Sequence, residues 1–522
     1  MPSQNLNFFC LYSLLATVLA VGSCQSGRDA ALNDPLIAEG QQLAQKHCSA
    51  CHLMPSPDLL DKKTWVEHVL PAMAPNLGLE AYPGGQYYAG RSAALSYNDW
   101  QKLIAYYQTL APETLKDADA PAPMVDDWAI FSLEKPSADT TQTAITTTVS
   151  IDTIGNRIYS SDALRNDVTQ WSQKLHPTPF ARLKSAAVNT NFFRDDRGKE
   201  RVAFTTLGTM RAADISFGEL ISVDVTSGQK VDSATIATNL PRPLQSVAAD
   251  FNKDGLMDWV VCGFGHLQGG LSWLKQLPNH QFTKLPIREV PGAIEVEVRD
   301  FNADGWPDLM VLFAHADEGI WLFLNDSKGG FTEQNLLRFP SVYGSTSFQL
   351  VDFDKDGRLD ILYTCGDNSD YSKILKPYHG VYIYLNQGDF RYKQAYFYPI
   401  NGCTKAIATD FDQDGDLDIA TIAFFADFLH QPSEGCLFFE QQGSLTFRPH
   451  ALPVSSFGRW ICMDVGDYDQ DGDSDVVLGN FSKTFVIQEG LKPFWNTHLP
   501  LIVLKNKTRS AIRLSVTSTS RP

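Results

Sequence analysis

Hydrophobic positions along the chain fall into three regimes. From Leu11 to Val21 they dominate, a stretch too short for a lasting membrane-spanning helix but suited to the apolar part of a secretory leader. From Pro35 to Glu113 they recur at helical intervals. Ile37, Leu43 and the Cys48/Cys51 pair mark one helix; Trp100, Leu103, Ile104 and Tyr107 mark another, in "SYNDWQKLIAYYQTLAPE", with Ser96 as its N-cap. Beyond Asp127 the pattern changes to short strands. Alternating runs such as "SFQLV" and "AIATD" precede polar segments, and continuous runs such as "WVVCGF", "LMVLF" and "ILYTC" follow them.

The polar segments are copies of one another. "DFNKDGLMD" starts at Asp250, "DFNADGWPD" at Asp300, "DFDKDGRLD" at Asp352, "DFDQDGDLD" at Asp410 and "DYDQDGDSD" at Asp467, at intervals of 50, 52, 58 and 57 residues. A period near 50 with strand-like text between copies predicts a β-propeller, each acidic loop joining two neighbouring strands of a blade. Text from Thr146 and from Ala187 has the same layout without the acidic set, so the expected count is seven blades, with eight as the alternative. "DWAIFSLEK", from Asp127, is expected to add an outer strand that closes the ring and removes exposed edges. The predicted fold is an all-β seven-bladed propeller behind a small N-terminal all-α domain. Expected boundaries are a leader over 1–23, a tether over 24–35, the helical domain over 36–112, an Ala/Pro/Asp-rich linker over 113–126, and the propeller over 127–520.

Composition sharpens this picture. The chain has 522 residues, 11% aromatics and 36 glycines, which suits strands and turns, and its net charge of −17 argues against a nucleic-acid partner. Much of the acid sits in the repeats, where like charges repel unless a cation joins them. Oxygens at positions 1, 3, 5 and 9, a carbonyl at 7 and a tight-turn glycine at 6 suit calcium, at about five sites. The candidate ligands are Asp250, Asn252, Asp254 and Asp258; Asp300, Asn302, Asp304 and Asp308; Asp352, Asp354, Asp356 and Asp360; Asp410, Asp412, Asp414 and Asp418; and Asp467, Asp469, Asp471 and Asp475. Position 12 carries Val261 and Tyr363 rather than a bidentate Glu, which excludes an EF-hand. The pattern resembles the FG-GAP/VCBS repeats of calcium-binding β-propellers.

Cys48-Ser49-Ala50-Cys51-His52 is C-x-x-C-H. On a helix these positions share a face, so two thiols can bond to two haem vinyl groups while the imidazole ligates iron. One covalent haem c is therefore expected, held by Cys48 and Cys51 with His52 as an axial ligand. Met73, between Pro71 and Pro75, is the expected sixth ligand, presented by an irregular loop; His68 is its rival. Residues 36–112 resemble a class I cytochrome c domain, although the His52-to-Met73 gap is short for that family.

"VGSC", ending at Cys24, resembles a bacterial lipobox, which implies lipidation at Cys24. The n-region lacks Lys and Arg, a departure from the pattern; ordinary leader cleavage is the alternative. Expected localisation is export with a lipid anchor to the outer membrane, on the periplasmic or cell-surface side. A Cys365–Cys403 disulfide is a possible staple between adjacent blades, with buried free thiols as the alternative. Loops on the face away from the motifs carry His266, His315, Asp317, Asp367, Asp370, Tyr371, His379, Asp427 and His430, a possible ligand mouth. The function read from these features is electron transfer by an exported, monomeric haem protein whose propeller binds a redox partner or ligand. A periplasmic oxidoreductase passing electrons from a propeller site to the haem is one alternative, and a surface adhesin or carbohydrate-binding protein is another. No catalytic motif stands out in the text.

Overall fold

The computed structural model describes residues 30–509, except 83–85, 138–140, 196, 211–212, 226–232, 370–372, 484–487 and 489. The leader, Cys24, Asp370 and Tyr371 lie outside the described residues. The chain forms two compact units, one ending at Asp117 and the other beginning at Ala118.

In the first unit, Asp34 opens a helix over Pro35–Cys48, its side chain accepting from Leu36 N at 2.9 Å with Pro35 preset for the first turn. A second long helix, Tyr97–Leu110, starts as expected at Ser96, whose Oγ accepts from Asp99 N. Trp100, Leu103 and Tyr107 are buried along it, with Tyr106 in place of the half-buried Ile104. Gly40 lets the two helices cross closely: a Cβ there would overlap the Lys102 carbonyl and approach Tyr106 Cβ to 2.9 Å. The expectation of an irregular loop at Pro71 and Pro75 is corrected. Lys62–Thr64, Trp65–Val69 and Leu70–Met73 form consecutive helical turns that run on into Ala74–Leu77. Both prolines sit where the hydrogen-bond pattern changes, Pro71 just after the wide turn Trp65–Val69 and Pro75 at the start of the tighter turn Ala74–Leu77. A hairpin pairing Leu79–Tyr82 with Gln86–Ala89, not foreseen from the text, completes the unit.

The second unit is a seven-bladed β-propeller. Blade I begins with strand Thr146–Asp152, blade II with Ala187–Arg194, blade III with Pro243–Ala249, blade IV with Ala293–Arg299, blade V with Ser345–Val351, blade VI with Cys403–Thr409 and blade VII with Trp460–Gly466. These first strands are innermost. Each is followed by a strand buried along its whole length or nearly so, such as Asp308–Phe313 or Asp360–Cys365. That burial explains the continuous apolar text after each motif: both faces of the strand meet neighbouring blades. The motif aromatics Phe251, Phe353, Phe411 and Tyr468 are buried as well.

Two devices recur around the ring. Every inner strand shifts register near its start, as at Pro243/Gln245 and Cys403/Lys405, a bulge that bends the strand at that end. Polar side chains then bridge to the next inner strand. Asn189 accepts from Ser246 N, Gln245 from Val296 N, Glu295 from Phe348 N, Gln349 from Ala408 N and Asp464 from Ile151 N, at 2.5 to 3.2 Å. They satisfy backbone groups that would otherwise be orphaned at the blade junctions.

Closure follows the expected route. Phe131–Glu134 pairs antiparallel with Leu501–Asn506 as the outer strand of blade VII. The preceding segment is ordered on the propeller rather than serving as linker up to residue 126. Val125–Asp126 pairs in parallel with the outer strand of blade VI, and Tyr398 Oη donates to Ala122 O. The Cys365–Cys403 disulfide is not formed. The two cysteines end and begin strands of adjacent blades, as expected, but both are buried free thiols, and Cys365 Sγ donates to Tyr378 O at 3.2 Å within its own blade.

Candidate functional site

The five acidic loops share one geometry. The position-1 aspartate, from Asp250 to Asp467, accepts through Oδ2 from the glycine N–H at position 6, at 2.7 to 3.1 Å. The position-5 aspartate accepts from the N–H at position 7, as in Arg358 N to Asp356 Oδ1 at 2.8 Å. Glycine at position 6 has φ between +81° and +98°, the left-handed region expected of a tight turn. Position 4 is left-handed too, at Lys253, Ala303, Lys355, Gln413 and Gln470. Nothing in the text marks this, because none of these residues is a glycine or asparagine that would betray it.

Position 9 is the anchor. Asp258, Asp308, Asp360, Asp418 and Asp475 each open the second strand of a blade and are fully buried. One oxygen of each accepts from a backbone N–H at the end of the third strand: Gln276, Asn325, Asn386, Gln441 and Asn506, at 2.7 to 2.9 Å. In Asp308, Asp360 and Asp418 the other oxygen takes the N–H of the motif aromatic. In Asp258 and Asp475 that second oxygen has no hydrogen-bond partner among the described residues.

Carboxylate oxygens come within 4.8 Å of one another in three loops: Asp352, Asp354 and Asp356; Asp410, Asp412 and Asp414; and Asp467, Asp469 and Asp475. In the first two copies the position-3 asparagines turn their amides to neighbours, Asn252 to Asp254 Oδ2 and Asn302 to Asp304 Oδ2, at 2.8 and 2.9 Å. In the fifth loop the Lys505 ammonium pairs with Asp469 and Asp471. Crowding and burial leave their mark on acidity. Burial pushes Asp418 up to about 7, and burial with neighbouring carboxylates pushes Asp475 up to about 8. Asp410 Oδ1 and Asp467 Oδ1 are also buried without a partner. Orphaned oxygens converging on one point, on loops already held by their own backbone, suit a hard divalent cation, which would favour the charged carboxylates.

In the first unit, Cys48 ends its helix, Cys51 lies exposed in the following turn and His52 is half-buried. His52 Nδ1 lies 3.0 Å from Leu53 O, so a proton on Nδ1 would be held there and Nε2 would be the ligating atom. Burial, then the neighbouring Cys51, pushes the Cys48 thiol up to about 11. The chain after His52 is pinned by Trp65 Nε1 to Pro57 O and Tyr107 Oη to Pro55 O. Met73 is half-buried at the end of its helical turn, and His68 is exposed.

On the propeller face away from the motifs, the predicted mouth residues separate into local pairs. His266 stacks on His315 at 5.8 Å. Asp317 is held by Arg288 and Arg338, and Asp427 holds His430 and Gln488. His379 is buried, and Asp367 O lies at the edge of hydrogen-bond range of Lys376 Nζ.

A family profile described as the FG-GAP-like repeat matches residues 250–311 and 300–363. Over these residues the propeller carries FG-GAP-like repeats. The matched stretches span the first three acidic loops. Among solved structures, the chain is similar to virginiamycin B lyase from Staphylococcus aureus, at a TM-score of 0.43 and 10% identity over 72% of this chain and 98% of that one. A catalytically inactive variant of that lyase with quinupristin gives 0.43 and 9%, over 72% and 99%. No curated protein matches the sequence.

Proposed function

We propose that this FG-GAP propeller is a calcium-stabilised binding module fused to a haem c electron-transfer domain, on an exported and lipid-anchored chain. The observation that supports the haem reading is the C-x-x-C-H run at a helix end, with His52 Nδ1 within hydrogen-bond reach of Leu53 O. Cys48 and Cys51 would form the two thioether bonds and His52 Nε2 would face the iron, with Met73 as the favoured opposite ligand. The group would supply one-electron transfer. The chain's own part is to orient: Leu53 O fixes the imidazole ring, and Trp65 and Tyr107, 4.3 Å apart between ring centroids, wall the segment with apolar surface. Calcium would sit on the acidic loops, tying the first and second strands of blades III to VII.

The test uses full-length protein produced with the machinery for covalent haem attachment. A pyridine haemochrome spectrum is expected to show one haem per chain, lost in Cys48→Ala/Cys51→Ala, and elemental analysis is expected to show calcium. Zinc in place of iron at the cysteine pair would overturn the haem reading.

A further inference from the structure

The mouth of the propeller holds a cavity that none of the features above uses. It lies between the loops of blades V, VI and VII, a small hollow open to solvent. Asn368 and Lys373 line it from blade V, Phe425 and Phe428 from blade VI, and Arg459 and Gln488 from blade VII. Three kinds of chemistry meet there.

The first is positive charge. Arg459 is 3% exposed, its Nε donating to Phe424 O at 3.0 Å and its guanidinium lying 3.8 Å from the centre of the Phe424 ring. Burial lowers its pKa to about 10, which leaves it cationic at neutral pH. Lys373 adds a second cation at the exposed lip. The second is unmet acceptors. Asn368 is 4% exposed, and its Oδ1 has no hydrogen-bond partner among the described residues. Gln488 Oε1 is likewise unpartnered, while its Nε2 is fixed to Asp427 Oδ1 at 2.9 Å. An orphaned buried acceptor costs about 1–3 kcal/mol, so these oxygens favour a donor from outside. The third is apolar wall, from Phe425, Phe428 and two leucines. The nearby carboxylate of Asp427 is already engaged by His430 and Gln488.

We propose that this cavity binds a small hydroxylated carboxylate, of which a uronic acid is the type. Its carboxylate meets Arg459 and Lys373, its hydroxyls donate to Asn368 Oδ1 and Gln488 Oε1, and its C–H face lies on Phe425 and Phe428. The hollow is small and open to solvent, so it suits the carboxylate edge of a single sugar ring, with the rest of the ring projecting outward. The site rests on the reading of the propeller as a binding module and requires neither haem nor calcium chemistry.

Isothermal titration of the full chain with sodium D-galacturonate, and with D-galactose and methyl galacturonate as neutral probes, tests it. The expected result is saturable binding of galacturonate, at least about tenfold weaker for the neutral sugars, and a similar loss in Arg459→Gln. Because Arg459 is buried, Lys373→Gln and Asn368→Leu are titrated beside it, each checked for an unchanged melting temperature; both are expected to weaken binding. Galactose binding as tightly as galacturonate overturns the proposal. So does galacturonate binding that persists unchanged in the two folded variants, although the propeller then remains a binder at another place. No saturable binding of any of the three probes by folded wild-type protein overturns the site and counts against the binding-module reading.

Discussion

Asparagine replacements at position 9 separate the two jobs of the anchor aspartates. In Asp308 both oxygens are filled by backbone N–H groups, of Asn325 at 2.8 Å and Phe301 at 2.9 Å. An amide there must turn its NH₂ against one of those donors, at a cost of about 1–3 kcal/mol. For a unit of roughly 380 residues, the usual unfolding entropy converts this to a fall of roughly 1–4 °C in Tm. Asp308→Asn is expected to show this loss already in chelator, before any calcium is added. Asp475 differs: Asn506 N fills one oxygen and the other has no partner among the described residues. The Asp475→Asn amide keeps the first bond and offers its NH₂ to the carboxylates of Asp467 and Asp469. In chelator the variant is therefore expected to be at least as stable as wild type. With calcium at about 100 times Kd, a site contributes about 2.7 kcal/mol, and a tenfold weaker site loses about 1.4 kcal/mol, or roughly 2 °C. Differential scanning calorimetry in EDTA and in millimolar calcium measures both variants at one scan rate. Equal destabilisation of Asp475→Asn under both conditions would refute the assignment of its free oxygen to a cation.

Three further predictions use other parts of the molecule. Glu318 is fully buried, and burial pushes its carboxyl up to about 8. The folded state holds a proton that the unfolded chain releases near 4.5, so this stabilisation is complete below that pH and is lost as pH rises through about 8. Glu318→Gln, which can keep the bonds from Ser345 N and Oγ, is expected to flatten the decline in Tm between pH 5 and 9; an unchanged slope would count against it. Gly40→Val is expected to cost about 1–3 kcal/mol or more where the two helices of the first unit cross, read as an earlier loss of helical circular dichroism; an unaltered melt would be the contrary result. Met73→Ala is expected to abolish a methionine–iron charge-transfer band at the red end of the oxidised spectrum, and a band that survives would leave His68 or another residue as the ligand.

The propeller was legible because its repeat is written twice over: the aspartates recur at a fixed spacing, and the buried second strand follows each of them as uninterrupted apolar text. Blade count and closure followed, since "FSLE" has strand text and no partner nearby. Of the two readings given for Cys365 and Cys403, a disulfide or buried free thiols, the structure has the second. Position along a strand placed Cys365 and Cys403 on adjacent blades, but the direction of the thiol depends on Tyr378 O, which no spacing reveals. The helical turns at Pro71 and Pro75 were hidden because proline reads as a breaker unless the start of the turn is known. Of the mouth residues selected by type, His266 pairs with His315 and Asp427 with His430, while Asp317 is held by arginines the text did not single out. Arg459, Asn368 and Gln488 have no signature, because they converge only through three loops far apart in the chain.

The outer strand of blade VII has a consequence for how the protein is made. Phe131–Glu134 leaves the ribosome before any blade exists, while its partner Leu501–Asn506 arrives roughly 370 residues later. At usual elongation rates the nascent chain waits on the order of 20 to 70 seconds with that edge unpaired. A product stopped short of Leu501 retains a lone first-made strand and a last blade with only its two inner strands, so quality control has a late event to monitor.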